Sequence, residues 1–166
     1  EAWIFFDDRN IYVSARNWES HPERRVANEM RRDTSQLRQN DTFAVLFDTF
    51  HDRRNGYIFY ANAIGGMADS YVTDEGPPNA DWNTVWNVRT GNFEGGWVIE
   101  MAIPFKSLRY LPGQEQTWGI NLRRVVRWKN EWSYLAQVPR ALTTFRGLLK
   151  VSSAGTLTGL QAPSGS

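Results

Sequence analysis

Residues 95–108 constrain the fold most, because a glycine turn, an apolar strand, a proline stop and an aromatic turn follow one another there. Apolar side chains alternate along the strand, so one of its faces carries Trp97, Ile99, Met101 and Ile103. Only Glu100 interrupts the other face, and Pro104 stops the strand because it cannot donate a ladder hydrogen bond. We therefore predict a central strand that is buried on both sides, with Glu100 paired to Arg123 across the sheet and a short helical turn at 105–108.

The rest of the chain predicts short strands and almost no helix. Turn residues separate the apolar runs, and Asn55-Gly56 is a strong turn dipeptide. The predicted strands cover 2–6, 11–16, 42–50, 57–64, 67–73, 81–90, 95–103, 117–128 and 132–138, with a closing strand within 143–160. This pattern indicates an all-β fold, an antiparallel β-sandwich of jelly-roll type. We predict one domain at 1–160 and a linker or tag remnant at 161–166.

Composition excludes several classes of function. The 19 Lys and Arg residues balance the 18 Asp and Glu residues, and no basic run extends, so we expect no nucleic-acid partner. The absence of cysteine excludes disulfides, zinc–cysteine sites and thiol nucleophiles. No apolar stretch approaches the ~20 residues that a membrane-spanning helix needs. The aromatic content of 14% suits wide sheet faces, and it also suits sugar recognition, because aromatic rings stack on pyranose faces.

Residues with catalytic or metal-binding chemistry are few. His21 and His51 are the only histidines, and their spacing from serines and aspartates makes no credible triad. We therefore predict a domain without enzymatic activity. Asp48 and Asp52 flank a turn and, with nearby carbonyl oxygens, have the chemistry of a Ca²⁺ site, although a charged hairpin turn explains them equally well.

Two pairs of tryptophans are alternative aromatic platforms. Trp128 and Trp132 flank a predicted hairpin turn, and Trp82 and Trp86 lie four apart on a predicted strand and would share its face. Cross-strand packing is the structural alternative for both pairs.

Four segments together resemble a family 9 carbohydrate-binding module: 40–48, 56–62, 96–105 and 118–124, with 7–13 fitting the same pattern. The resemblance covers nearly the whole chain, except that the family's usual first segment is missing before Glu1. Residues 48–57 are similar to a subgroup found in large bacterial proteins, where this domain precedes a predicted outer-membrane β-barrel. Residues 154–160 are similar to the junction in those proteins. The resemblance implies a domain of a larger polypeptide in the bacterial periplasm, associated with the outer membrane, or secreted.

In the family, one terminal sugar lies between two tryptophans, with an Arg, an Asn and a Glu on neighbouring strands. Carried over by position, the first tryptophan falls in 36–39, the Glu falls on Ala44 and the Arg falls on Tyr60. Asn62 matches the family's Asn, and Phe145 stands near the position of the second tryptophan. The resemblance therefore implies a sugar site that has lost one stacking ring, with correspondingly weak affinity. The family's structural Ca²⁺ is the cofactor that it implies.

The strand pattern predicts which residues would line that site. Tyr60 and Asn62 lie two apart on one strand, and Asn121 and Arg123 lie two apart on another, so each pair shares a sheet face. We predict a sugar site on the surface that they form, covered by Phe145 and Arg146 of the closing loop.

The sequence leaves three functions open. The leading one is non-catalytic binding of a glycan or sugar terminus. The alternative is a protein-interaction or structural domain that packs on its own barrel or on a partner. The third is an accessory domain of a glycoside hydrolase. A sugar binder should have an aromatic ring beside convergent polar groups, whereas an interaction domain should present a broad apolar patch.

Overall fold

The computed structural model describes residues 1–142 and 145–163, apart from the side chain of Phe145. Within these residues the backbone forms ten strands joined by turns and short 3-10 helices, without an α-helix. The strands are β1 (Ala2–Phe6), β2 (Asn10–Trp18), β3 (Thr42–Asp48), β4 (Gly56–Asn62), β5 (Met67–Val72), β6 (Asn87–Phe93), β7 (Gly96–Pro104), β8 (Glu115–Val126), β9 (Glu131–Tyr134) and β10 (Gly155–Gln161). The 3-10 helices are Pro22–Arg24, Ser35–Gln39, Phe105–Ser107, Arg140–Leu142, Phe145–Leu149 and Val151–Ser153.

Two antiparallel sheets form a sandwich, as the sequence predicts. The four-stranded sheet has the order β1-β2-β7-β6, and the six-stranded sheet has the order β10-β8-β3-β4-β5, with β9 pairing to β8. The main core lies between the sheets and includes Trp97, Ile99, Met101 and Ile103, all of which are buried as predicted. The predicted turn after Pro104 is also confirmed, since Phe105 and Leu108 pack into this core.

The strand that is buried on both faces is β3, not β7. Every residue of β3 is buried, whereas Val98 and Ala102 on the outward face of β7 are half-buried and Glu100 is exposed. Glu100 lies opposite Ser14 and Arg89 in the four-stranded sheet, so its predicted pairing with Arg123 on β8 is wrong. β7 is buried on one face only, because the outer face of the four-stranded sheet lies in solvent.

A second apolar cluster covers the outer face of the six-stranded sheet. Leu148, Leu149 and Val151 come from the 3-10 segments after β9 and pack on Ala44 and Leu46 of β3. This cover explains why β3 reads as a continuous apolar run rather than an alternating one. A recess remains beside this cover, with Leu149 in its wall.

The predicted strand at 81–90 is wrong in its first half. The strand is Asn87–Phe93, and residues 81–86 cross from the six-stranded sheet to the four-stranded one. Residues 81–86 belong to neither sheet, and within them Trp86 lies in the main core and Trp82 packs against it. At the other end, β10 reaches Gln161, and the buried Ala162 donates its backbone N–H to the Gln114 carbonyl, so the folded part extends past residue 160.

Candidate binding site

A recess opens on the outer face of the six-stranded sheet. Strand register places Arg123, Ala44, Tyr60 and Ala68 side by side in one row across β8, β3, β4 and β5. Because the two alanines are small, they leave space between and beside the larger side chains. A pocket of about 100 Å³ lies here, and its lining includes Tyr60, Ala68 and Arg123 from the sheet.

Loops complete the walls of this pocket. The segment before β3 contributes Thr34, Ser35 and Arg38, and the opposite wall contains Pro78 and Leu149. The Thr34 hydroxyl accepts a hydrogen bond from the Gln36 backbone N–H and so begins the 3-10 helix that carries Ser35 and Arg38. The pocket therefore combines an aromatic ring, aliphatic walls, hydroxyl and guanidinium groups, and the acidic residues Asp33 and Asp69.

Arg123 is the charged group at the base of the pocket. It is only 5% exposed, and its guanidinium carbon lies 5.6 Å from the centre of the Trp132 ring. Tyr134 is directly opposite it on β9 and is a hydrogen-bond partner of its side chain. Burial lowers the pKa of Arg123, the nearby tyrosines raise it, and the positive charge of Arg38 lowers it further.

A wider depression adjoins the pocket. It has a volume of about 470 Å³ and shares Pro78 and Leu149 with the pocket as a common wall. Arg146 and Lys150 line it, and Lys150 forms an ion pair with Glu75 at 3.1 Å. The predicted site residue Arg146 is exposed and lines this depression, so it lies beside the pocket. The side chain of Phe145, the other residue predicted to cover the site, lies outside the described part of the structure.

Tyr60, Asn62, Asn121 and Arg123 do share the outer sheet face, but only Tyr60 and Arg123 reach the pocket. Asn62 is fully buried. Its amide nitrogen donates to the Glu29 carbonyl (2.6 Å) and to Asn40 Oδ1 (3.1 Å), and its amide oxygen accepts from the backbone N–H groups of Ile64 and Gly66. The expectation that Asn62 contributes to an open polar surface is thus not what the structure shows.

Asn121 is also fully buried and away from the pocket surface. Its amide oxygen accepts hydrogen bonds from the backbone N–H groups of Leu122 (3.0 Å) and Ala136 (2.9 Å). Its amide nitrogen has no hydrogen-bond partner among the described residues. Both amides are therefore inside the protein, because the cover on this sheet face extends further than strand alternation alone suggests.

The two tryptophan pairs lie in different surroundings. Trp86 is buried, its ring centre lies 5.2 Å from that of Phe59, and its indole N–H donates a hydrogen bond to the Asp69 carboxylate. Trp82 packs on Tyr57 and Phe59. Both lie in the crossing segment, so the predicted shared strand face is wrong. Trp128 lies within the β8–β9 turn, not before it, and Trp132 lies just after the turn on β9. Basic side chains lie against both rings: Arg24 and Lys129 on Trp128, and Arg123 and Arg127 on Trp132.

Asp48 and Asp52 hold the β3–β4 turn together. Asp48 accepts hydrogen bonds from the backbone N–H groups of Asp52 (3.2 Å) and Arg53 (2.8 Å), and Asp52 accepts from those of Arg54 and Asn55. Burial raises the pKa of Asp48, and these backbone donors lower it. Over the described ranges, no three His, Cys, Asp or Glu side chains cluster in a way that suits a metal. Calcium binding by Asp48 and Asp52 stays a prediction.

The outer face of the four-stranded sheet carries an aromatic surface that the sequence analysis did not identify. Trp3, Phe5 and Trp18 are 45–49% exposed. Phe5 stacks on Tyr12 with ring centres 5.0 Å apart, and Trp18 meets Phe93 edge to face. The sequence contains a signal for this surface, because Trp3 and Phe5 lie two apart on β1 and therefore share a face. Tyr12 lies opposite Phe5 on that face.

Solved structures share this fold. A family 9 carbohydrate-binding module from Caldicellulosiruptor kristjanssonii in complex with cellotriose is 17% identical and superposes with a TM-score of 0.60 over 99% of this chain and 75% of that one. Its glucose complex gives a TM-score of 0.59 at 17% identity, over 98% and 75% of the two chains. A candidate carbohydrate-binding protein from Bacteroides uniformis gives a TM-score of 0.72 at 13% identity, over 93% and 75%. No protein-family model and no curated protein matches this chain.

These similarities establish the class of fold: this chain has the β-sandwich of family 9 carbohydrate-binding modules. None of the described helices has the length and the apolar character needed to cross a membrane.

The segment beside Asn62 makes a testable contribution to stability. The Glu29 carboxylate accepts hydrogen bonds from the side chain and the backbone N–H of Arg31, and these lower its pKa from 4.5 to about 2. Because the folded pKa lies below the unfolded one, the resulting stabilisation is complete above pH 4.5 and is lost as the pH falls toward 2. We expect Glu29→Gln to destabilise the protein near pH 7 and to have little effect near pH 2, measured by urea unfolding at both values. The exposed Glu94→Gln is the matched control; an equal loss of stability at both pH values would contradict the prediction.

Proposed function

We propose that this chain is a non-catalytic carbohydrate-binding domain and that the sugar binds in the pocket beside Tyr60 and Arg123. One observation carries the proposal. The pocket lies in the row that contains Ala44 and Tyr60, the positions onto which the family's Glu and Arg fall, and Arg38 lies in the segment where the family has its first tryptophan. The fold neighbours from Caldicellulosiruptor kristjanssonii, which are complexes with cellotriose and glucose, support the same conclusion.

The lining suits a sugar in kind. Tyr60 and the aliphatic surfaces of Pro78 and Leu149 offer apolar contact for a pyranose ring, and Ser35 and Ser70 add hydroxyl groups. Strands and a 3-10 helix position these side chains, so the pocket needs little rearrangement to accept a ligand. Phe145 remains a predicted second contact from the closing segment.

The setting that we propose is a larger bacterial polypeptide in the periplasm, at the outer membrane or secreted. The support is the resemblance of residues 48–57 and 154–160 to the subgroup in which this domain precedes a predicted outer-membrane barrel. An accessory domain of a glycoside hydrolase is a second setting for the same binding function. A structural Ca²⁺ at Asp48 and Asp52 belongs to this proposal too, and its test is the melting temperature with and without a chelator.

The proposed site predicts that Tyr60→Ala weakens glycan binding. A glycan array on the wild type identifies a ligand, and calorimetric titration then compares the variants. Loss of the ring removes about 1–2 kcal/mol of contact, so we expect the dissociation constant to rise about tenfold. Tyr12→Ala, on the opposite sheet of the sandwich, should bind like the wild type.

Two outcomes would contradict the proposal. If no glycan on the array binds, the domain is not a carbohydrate-binding domain of this kind. If Tyr60→Ala binds normally, the sugar binds elsewhere, with the Trp128 and Trp132 hairpin as the next candidate. Incubating the wild type with aryl glycosides and polysaccharides should give background turnover only, and turnover that Glu100→Gln or Asp48→Asn removes would show a catalytic carboxylate.

The exposed aromatic surface favours a second candidate function, a domain that packs on its own barrel or on a partner. Trp3, Phe5 and Trp18 lie on one open sheet face, which has the apolar character of an interaction surface. Trp3→Ser distinguishes the two functions: it should leave glycan binding unchanged if the sugar occupies the pocket near Tyr60.

A further inference from the structure

We propose that β1, at the edge of the four-stranded sheet, pairs with β1 of a second copy of this chain, so that one sheet continues through a symmetric dimer. This inference goes beyond the proposed function and uses the opposite sheet from the pocket. β1 is terminal in the strand order β1-β2-β7-β6. An open edge is a template for another strand, because its outward N–H and C=O groups are unpaired.

Backbone groups of alternate residues face this open edge. The Arg16 N–H donates to the Glu1 carbonyl (2.8 Å), so Glu1 bonds to β2. Because hydrogen-bonding direction alternates along an antiparallel pair, odd-numbered residues of β1 bond to β2 and even-numbered ones face outward. The outward residues are Ala2, Ile4 and Phe6. Among the described residues, no hydrogen bond occupies their outward N–H and C=O groups.

The longer edge strands elsewhere have features that oppose such pairing. β6 contains the charged Arg89, and the register of β10 is broken before Leu160. A loop covers β5, where Tyr71 and Asn79 exchange backbone hydrogen bonds of 3.2 and 2.7 Å. Charges, bulges and covering loops all protect sheet edges. β1 has no such protection, since it contains neither a charged residue nor a proline and its register with β2 is unbroken.

The sequence of β1 is complementary to itself when a two-fold axis passes through its middle residue, Ile4. Ile4 then lies opposite its own copy, and Ala2 lies opposite Phe6 of the second copy, so a small side chain faces a large one. On the outer face, Trp3 lies opposite Phe5 of the second copy, which gives an aromatic cross-strand pair on each side of the axis. The outward N–H and C=O groups of the even-numbered residues pair in this same register. This self-complementarity identifies a second copy as the partner.

Exposed rings on β1 supply the apolar contact. Trp3 and Phe5 are each 45% exposed, and Phe6 is 40% exposed. Two of these rings are already held in place, because Phe5 stacks on Tyr12 at 5.0 Å and the Arg16 guanidinium lies 5.8 Å from the centre of the Trp3 ring. Pairing therefore buries aromatic surface with little further loss of side-chain freedom.

Acidic residues limit the paired region to β1. The symmetric register brings Glu1 near Asp7 of the second copy at each end. The Asp7 carboxylate turns back into its own turn, where it accepts hydrogen bonds from the backbone N–H groups of Arg9 (2.8 Å) and Asn10 (2.7 Å) and from the Tyr12 hydroxyl (2.7 Å). A strand of five residues makes an interface smaller than the usual ~1,200 Å², so we expect a dissociation constant of about 10 μM to 1 mM.

Sedimentation velocity of the 166-residue chain over that concentration range tests the inference. Ile4→Pro removes the outward N–H on the axis and leaves the hydrogen bonds between β1 and β2 in place. We expect it to weaken the dimer at least about tenfold relative to Ile4→Ala, the matched control that also loses the side-chain packing but keeps the N–H. Trp3→Lys should weaken the dimer at least about tenfold relative to the wild type. Trp18→Lys, on the same sheet face but on β2, should dimerise like the wild type.

Disulfide cross-linking tests the register, because the chain has no cysteine of its own. Ile4→Cys should form an intermolecular disulfide, since Cα atoms of opposite residues in a hydrogen-bonded pair lie about 5.5 Å apart, within the disulfide range. Ala2→Cys should not, because the two copies of residue 2 lie more than about 10 Å apart along the paired strands.

Several outcomes would overturn the inference. These are a wild type that is monomeric at about 1 mM, a dimer that Ile4→Pro leaves intact, and a dimer that Trp18→Lys disrupts as strongly as Trp3→Lys. Equal cross-linking by Ile4→Cys and Ala2→Cys would contradict the register. Far-ultraviolet circular dichroism checks the folding of each variant, and Trp3→Lys decides if Ile4→Pro does not fold. Glycan binding by Trp3→Lys should match the wild type, so loss of the dimer is separable from loss of the proposed function.

Discussion

Ile99→Ala is expected to lower the free energy of unfolding by about 2–5 kcal/mol, through lost burial and the cavity that remains. Ile99 is 1% exposed and lies at the middle of β7, packed between Ala15 on β2 and Thr90 on β6. Large aromatic side chains fill the core around it, and they cannot move far into the space that three lost carbon atoms leave. Equilibrium unfolding in urea, followed by tryptophan fluorescence, measures the change.

Val98→Ala is the matched control for this experiment. Val98 is the neighbouring residue on the same strand, but its side chain is half-buried on the solvent face of the four-stranded sheet. We expect this change to cost less than about 1 kcal/mol. A loss below about 1 kcal/mol for Ile99→Ala would mean that the inward face of β7 is not a core face.

The sequence predicts the sandwich well where local patterns decide it. Alternating apolar residues on β7, the proline stop and the turn after β3 depend on residues close together in the chain, and all three are found as predicted. Local patterns do not determine whether the outer face of a strand is buried, because that depends on which distant segment of the chain covers the face. The residues after β9 cover β3 and nothing comparable covers β7, so the pattern alone assigned two-sided burial to the wrong strand.

The candidate site was predicted in part for the same reason. Alternation placed Tyr60 and Arg123 on one sheet face correctly, and register then brings them to one row. The depth of each side chain below the surface depends on the loops that cover the sheet, and strand alternation does not describe those loops. Alternation therefore could not show that Asn62 is buried whereas Tyr60 lines the pocket. Arg38 lies in a 3-10 helix before β3, and only the fold shows that this helix forms a wall of the pocket.

Asn62→Ala is expected to destabilise the protein by about 2–4 kcal/mol, since it removes four hydrogen bonds from a buried site. The amide joins three separate segments: the chain at Glu29, the end of the 3-10 helix at Asn40, and the β4–β5 turn at Gly66. Glycine at 66 is required by this close packing, because a Cβ atom there would lie 2.2 Å from the Glu29 carbonyl oxygen. Truncation of Asn62 leaves that carbonyl and the Gly66 N–H without their partner, and unpaired buried groups are costly.

Urea unfolding of Asn62→Ala, beside Asn87→Ala as the matched control, tests this structural role. Asn87 is exposed on β6, so its replacement should change the free energy of unfolding by less than about 0.5 kcal/mol. Glycan titration below the unfolding transition adds a second readout. A residue that only organises the fold should leave the affinity of the folded fraction within about twofold of the wild type. Wild-type stability together with lost affinity would instead make Asn62 a ligand contact, which would require the segment at Glu29 to move away and open the sheet face beneath it.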